Sequence, residues 1–502
     1  MSVYSEFFTK FMEPIFGGIA NIFKELFVSL VNMLNILNYI EIIGNYKEHL
    51  KSGFGLVILI FSVLFLLFLF FVIILIITKI IKRYLRYRRN LKKEDQLIEE
   101  IDSLNNEIIK LKSQNSKIAE LTNESGDIEL DENGKPVNQL KDGESRFFKL
   151  SNIDAKYENY VPEPITNNFT LEGYCDAFRN FSASKMKLYY DINIIRLFIA
   201  SLASNKLIIF EGISGTGKTS LAYAFGKFVD NETTVASVQP SWRDSTEIFG
   251  YFNEFTKKFK ETEILAKMYE AQYSDEIFIT LLDEMNISRV EYYFAEMLSI
   301  LELPNKDEWV VELVPNVWDK DPIKLNNGKL SVPENMWYIG TINNDDSTFM
   351  NTDKVYDRAM TIAIDDKCAE YEAPDTEPFK VSYKYLNQLF EQASQQHAVA
   401  QETLDKIAEM DRYVIDHFRL AFGNRIVKQL KEFVPAYVAC GGDEIAGIDY
   451  LIAHKILRKF EQLNLAYIKD EIDGFIEYLE NTFGKDKMPE CKAYLLRLKK
   501  TI

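Results

Sequence analysis

The sequence predicts an α/β protein, in which a parallel sheet flanked by helices carries a C-terminal helical lid and is preceded by a transmembrane helix and a short coiled coil. Three observations carry this expectation. Phe54 to Ile77 runs twenty-four residues without a charge. From Lys206 the chain reads KLIIFEGISGTGKTSLAYAFGKFV, an apolar run, a glycine-rich turn and then a helical pattern. A second apolar run, IFITLLDEMN, ends on the adjacent acids Asp283 and Glu284.

At 502 residues the chain has room for about three structural units. Its 47% hydrophobic content supports a sizeable core and excludes collagen-like or disordered classes. Cys175, Cys368, Cys440 and Cys491 form no C-x-x-C pair, and His49, His397, His417 and His454 show no ligand spacing. A disulfide framework and a metal hydrolase are therefore not expected. The cysteines and His397, His417 and His454 read as structural.

The uncharged run is long enough to cross a hydrocarbon core of about 30 Å at 1.5 Å per residue. We place the transmembrane helix at residues 53–81, touching membrane lipids through 54–77. Eight cations follow it between Lys79 and Lys93, whereas residues 1–52 carry four lysines and five glutamates. The positive-inside rule then puts the C-terminal side in the cytoplasm, as a single-pass protein of the inner membrane. Without those eight cations the remainder carries a net charge of -25, which disfavours non-specific DNA binding by the soluble part. Residues 1–52 read as an amphipathic membrane-associated segment, within which Leu26 to Ile40 is short for a second crossing.

Beyond the anchor, residues 82–121 combine the basic collar with a heptad seam. Leu97, Ile101, Leu104, Ile108, Leu111, Asn115 and Ile118 alternate spacings of four and three, with Asn115 as the polar position that restricts register. Residues 122–184 read as a linker with a small hairpin around D-E-N-G-K-P. The α/β nucleotide-binding domain is expected at 185–375 and the helical lid at 376–502.

The loop after the apolar run at Lys206 is G-x-x-x-x-G-K-T in a strand-loop-helix setting. Gly212, Gly215 and Gly217 let the backbone curl so that N–H groups face phosphate oxygens. Lys218 then reaches the β- and γ-phosphates, and the Thr219 hydroxyl holds Mg²⁺. Ser214, Thr216 and Ser220 complete the phosphate cradle. Asp283, at the end of the second strand, would organise the shell of the same ion, and Glu284 would polarise the attacking water. A third strand, NMWYIGTINNDDSTFM, brings Asn343 to its exit, where it could position that water. In the following KVYDRAM, Arg358 could be the cation supplied to a neighbour's γ-phosphate.

GISGTGKT, LLDEMN, YIGTINNDDST and YDRAM, taken together, resemble the AAA+ NTPases, and within them the McrB-like, dynein-related branch. I-N-N-D-D resembles the McrB signature, placing its Asn on Asn343 and its Asp on Asp346, and Arg358 stands where the family's arginine follows. The stretch FGNRIVKQLKEFVPAYVACGGDEIAGIDYLIAHKILRKF is similar to the McrB lid, with Arg425 in its G-x-R place. QPSWRDSTEIFGYFNE is similar to the loop after the second strand, and Phe249, Tyr251 and Phe252 in it are candidates for substrate contact. The resemblance covers roughly residues 185–465. It implies Asp346 and Arg425 as nucleotide-site residues and ATP or GTP with Mg²⁺ as cofactors. It further implies a homo-oligomeric, hexameric ring and a McrC-like nuclease or other effector as partner, in antiviral restriction. A MoxR-like chaperone and a membrane-tethered, nucleotide-switched scaffold are the alternatives. Nothing in the chain looks like a nuclease motif.

Overall fold

A computed structural model describes residues 143–162, 164–343, 348–463 and 465–501, with 25, 35–48, 57–62, 64, 78, 79 and 140 ahead of them. The coiled-coil seam, most of the uncharged run and Asp346 lie outside the described residues. Two compact units divide the chain at Gly126. In the first, Ile36–Asn45 is helical, and Val57, Ile58, Ile60, Phe61 and Leu64 are exposed. Among the described residues no helix is long and apolar enough to cross a membrane.

The second unit begins with three helices, α1 (Phe148–Tyr157), α2 (Leu171–Met186) and α3 (Ile192–Ser204). Strand β1 (Leu207–Gly212) leads through the glycine loop into α4 (Lys218–Phe228), followed by β2 (Thr234–Ser237). Next come a hairpin of β3 (Gly250–Asn253) and β4 (Lys258–Glu261), then α5 (Glu263–Glu270) and β5 (Phe278–Asp283). A second hairpin, β6 (Val310–Glu312) and β7 (Lys329–Ser331), precedes β8 (Met336–Asn343) and β9 (Ala359–Ala363). Six helices close the chain: α6 (Tyr383–Gln396), α7 (Gln401–Phe418), α8 (Gly423–Ala439), α9 (Glu444–Lys455), α10 (Leu465–Phe483) and α11 (Pro489–Thr501).

The main sheet has five parallel strands in the order β2-β5-β8-β1-β9. Parallel strands covered on both faces read as continuous apolar runs, which is why LIIF and ITLL show no alternation in the sequence. Their side chains nevertheless alternate in space. Ile208 and Phe210 join one core with α2, α3, α4 and the C-terminal helices, while Leu207 and Ile209 join another with Met268, Leu282 and Tyr338. The register aligns Gly212 with Asn343 and Ser237 with Asp283, so the carboxyl ends of four strands lie along one edge. Ligands of open parallel sheets bind at that edge.

The expectation of a linker over 122–184 is corrected for its described part. Thr170 caps α2 by accepting from the Gly173 N–H, and Leu171, Tyr174, Cys175, Phe178 and Phe181 are buried. Their spacing of three and four puts them on one face. Ahead of α2, the segment around Arg146 is bound to both hairpins. Phe259 N–H donates to the Arg146 carbonyl at 2.8 Å, and the Arg146 guanidinium donates to Asp321 at 2.7 and 2.8 Å while lying 4.3 Å from the Trp318 ring centroid. Of the three aromatics singled out around Gly250, Phe249 is buried and Phe252 packs edge-on to Trp318 at 5.8 Å. Tyr251 alone of the three candidates is exposed.

Candidate functional site

The glycine loop owes its path to backbone conformations that side chains resist. Gly212, Gly215 and Gly217 have φ of 144°, 82° and 96°. A Cβ on Gly212 would lie 2.4 Å from the Ile364 carbonyl oxygen, so β9 could not approach β1 this closely with any other residue there. Gly217 caps α4 in the left-handed region without a side-chain acceptor, and its carbonyl accepts the Tyr190 hydroxyl at 3.0 Å. The first N–H groups of α4 thus face the loop, where the helix dipole favours an anion.

Within the loop, Lys218 is buried and its Nζ donates to the carbonyls of Gly212 at 3.0 Å and Ile213 at 2.6 Å. Thr216 is buried and donates to the Ile213 carbonyl at 3.2 Å. Ser214 is exposed and Ser220 half-buried, on either side of the helix start.

Thr219, exposed one residue further, donates to Asp283 Oδ1 at 2.7 Å. The same oxygen accepts from Thr341 Oγ1 at 2.8 Å, and Thr341 Oγ1 in turn accepts the Glu284 N–H at 2.8 Å. Thr341 was not singled out from the sequence, although a hydroxyl inside the buried run YIGTIN is the signal that could have marked it. Its work is to join two strands through one hydroxyl. It orients the carboxylate that reaches Thr219 and fixes the turn that follows. That turn places Glu284 at φ 53°, ψ 47°, a left-handed conformation that costs a non-glycine residue on the order of 1 kcal/mol. It leaves Glu284 exposed directly after Asp283 at the end of β5.

Asn343 ends β8 directly beside Gly212. Its carbonyl accepts from Asn286 Nδ2 at 3.3 Å and from Thr348 Oγ1 at 3.2 Å, so the turn after Glu284 and the exit of β8 are fastened together. Thr219, Asp283, Glu284 and Asn343 therefore share the edge of the sheet with the loop. Thr219 and Asp283 offer adjacent oxygens of the hard type that Mg²⁺ prefers, and the ion would supply charge neutralisation to a triphosphate.

Arg358 and Arg425 do not join them. Ala359, the residue after Arg358, pairs with Leu207, the opposite end of β1 from Gly212, about 17 Å away at roughly 3.3 Å per residue. Arg425, which the resemblance implies as a nucleotide-site residue, is not brought to the glycine loop of its own chain. It stands at the start of α8 and pairs with Glu302, which also pairs with Arg358. The two arginines line one cleft of about 860 Å³ with Lys206 and Lys428.

A larger cleft of about 1290 Å³ opens beside the loop between the sheet edge and the C-terminal helices. Tyr189, Tyr190, Asn343 and Tyr450 line it, together with an ion pair the sequence did not reveal. Arg458 donates to both Glu211 oxygens, at 2.8 and 3.0 Å, and its guanidinium lies 3.4 Å from the Tyr356 ring centroid. Burial opposes the charge on Arg458, but the Glu211 carboxylate raises its pKa above the ordinary value. Glu211 directly precedes the loop, so this pair ties the lid to the strand that carries it.

His454, on the lid side of the same cleft, is buried and packs tilted against Tyr450 with centroids 4.2 Å apart. Burial, then the charges of Arg458 and Arg497, push its pKa down to about 3. Between pH 6.5 and about 3 the unfolded chain binds a proton that the folded chain refuses, so stability present above pH 6.5 is lost as the pH falls. By pH 5 this group alone removes about 2 kcal/mol. His454→Gln should accordingly lose less stability than the wild type between pH 7.5 and 5 in urea titrations. Parallel losses in the two proteins would contradict a neutral, buried His454.

No family model and no curated protein matches the chain. Among the solved structures that match it is a protein of Cytophaga hutchinsonii named a "putative ATPase", 12% identical over 59% of this chain and 83% of that chain, with a TM-score of 0.36.

Proposed function

We propose that this chain is a membrane-anchored, McrB-like AAA+ NTPase that hydrolyses ATP or GTP with Mg²⁺ in an oligomeric ring and drives a partner effector. One observation carries the hydrolytic part. Thr341 joins Asp283, which reaches the Thr219 hydroxyl, to the strained turn that presents Glu284 beside the glycine loop. Such a constellation holds a cation on one carboxylate and leaves the next free to take a proton from water. The triphosphate lies in the loop, and the base and sugar lie in the cleft between Tyr189, Tyr190 and the lid.

The separation of the charges supports the ring. Hydrolysis needs a cation against the γ-phosphate, and the two arginines of the smaller cleft are at the wrong end of the sheet for the chain's own loop. A second copy docked on that end brings its phosphates to them. The anchor at residues 53–81, the inner membrane, a nuclease effector and antiviral restriction belong to this reading through the sequence resemblance.

The test is turnover of ATP and GTP by the full-length chain, with oligomer mass recorded in each nucleotide. Arg358→Ala should bind nucleotide as the wild type does and lose about 10³-fold or more of its assembly-dependent turnover. Mixing it with Glu284→Gln should restore part of the activity, because each mutant supplies what the other lacks at a shared interface. Mixed assemblies as inactive as either parent would count against the trans role.

A further inference from the structure

Glu302 stands in the structure where the proposed reading needs a phosphate. It follows the short helix Ala295–Ile300 on a turn, its N–H donating to the Ser299 carbonyl at 3.3 Å. One carboxylate oxygen pairs with Arg358 and the other with Arg425, so a single anion from the α/β part holds a cation of its own part and a cation of the lid. Arg358 spends two further donors on the chain itself. Its Nε donates to the Leu298 carbonyl at 3.0 Å and its Nη1 to the Lys354 carbonyl at 2.7 Å. The turn bearing it is gripped by the lid as well, through Lys455 Nζ to the Tyr356 carbonyl at 2.8 Å, Lys459 to Asp357 at 2.9 Å and Gln429 Nε2 to the Asp357 carbonyl at 3.2 Å.

We infer that Glu302 is an internal competitor for the phosphate of a neighbouring copy, a carboxylate that occupies Arg358 and Arg425 until a nucleotide-loaded subunit displaces it. This rests on the reading that the two arginines act across a subunit interface. The physical basis is the number of anions that two guanidinium groups can face. A carboxylate and a γ-phosphate brought to the same pair repel each other, so one must leave. A carboxylate is the weaker occupant, with one negative charge against the several of a triphosphate, and its side chain is about one-third exposed, so solvent can receive it when it leaves. The remaining bonds of Arg358 are to carbonyl oxygens, so it keeps its position when the carboxylate goes. An isolated subunit therefore has its arginines neutralised, and assembly starts from the fraction of molecules in which Glu302 has let go.

The experiment measures specific turnover and oligomer mass against protein concentration, at saturating ATP and GTP, for the full-length wild type, Glu302→Gln, Glu302→Asp and Arg358→Ala. If the engaged state holds nine-tenths of the isolated molecules, Glu302→Gln reaches half-maximal specific turnover at about tenfold lower concentration. Glu302→Asp, which keeps the charge, should stay near the wild-type curve. Glu302→Gln superimposing on the wild type, shifting to higher concentration or failing to fold would make Glu302 a structural bridge and overturn the inference. A Glu302→Asp curve that moves with Glu302→Gln would overturn it too, because shape and not charge would then be at work. Arg358→Ala reports separately on the foundation: normal, concentration-dependent turnover by that variant would bring down the trans reading itself, whatever Glu302 does.

Discussion

Glu284→Gln should bind nucleotide as tightly as the wild type and turn it over about 10²- to 10⁴-fold more slowly. The substitution preserves size and the αL turn, so the Glu284 N–H still reaches Thr341 and Asp283 still reaches Thr219. What disappears is a base. The amide cannot accept the proton that an attacking water sheds, whereas the loop, the cation site and the cleft retain every group that grips the ground state. Affinity unchanged and kcat lost is the signature of an interaction made only in the transition state. Single-turnover hydrolysis beside an equilibrium nucleotide titration separates the two quantities. Because nucleotide is bound but not consumed, the variant should also accumulate in its assembled form. Turnover within a few-fold of the wild type would remove Glu284 from the mechanism, and the exposed carboxylate at φ 53° would need another reason for its strained turn.

The parts of this site legible in the sequence are those whose chemistry is local in the chain. A strand, a glycine turn and a helix start lie within Leu207 to Phe228, and residue types alone announce what their backbone must do. Asp283 and Glu284 were legible for the same reason, as acids ending an apolar run. Thr341 escaped because its role exists only in register. It matters that β5 and β8 are neighbours, and the sequence does not order strands. The pairing of Arg358 with Arg425 through Glu302 is likewise a product of folding, since one arginine follows a short helix before β9 and the other opens α8. Family resemblance placed Arg425 at a nucleotide, but which copy's nucleotide is a question of geometry. The described part of 122–184 reads as a linker in the sequence, whereas Arg146 is matched by Asp321, 175 residues away, under aromatic rings. A buried ion pair of such separation leaves no local pattern. The spacing of Leu171, Tyr174, Phe178 and Phe181 does carry a helical signal.

Lys218→Ala should weaken nucleotide binding by about 30- to 5,000-fold, the equivalent of about 2–5 kcal/mol for removing one partner of a desolvated charged contact. Two losses add in this variant. The ammonium that would meet the β- and γ-phosphates is gone, so negative charge brought into the loop faces only backbone N–H groups and the dipole of α4. The loop also loses internal support, because Lys218 Nζ is donated to the Gly212 and Ile213 carbonyls, at 3.0 and 2.6 Å, and so braces the curl that presents those N–H groups. Titration with a fluorescent nucleotide analogue, beside a thermal melt, distinguishes them. A variant that melts like the wild type and binds weakly has lost the phosphate contact. One that melts early has lost the brace as well, and Lys218→Arg, which retains the charge but not the compact ammonium that fits between those two carbonyls, should then melt early while binding better than Lys218→Ala. Tight binding by a well-folded Lys218→Ala would mean that phosphate does not sit in this loop. The roles of Thr219, Asp283 and Glu284, each argued from where that phosphate lies, would fall with it.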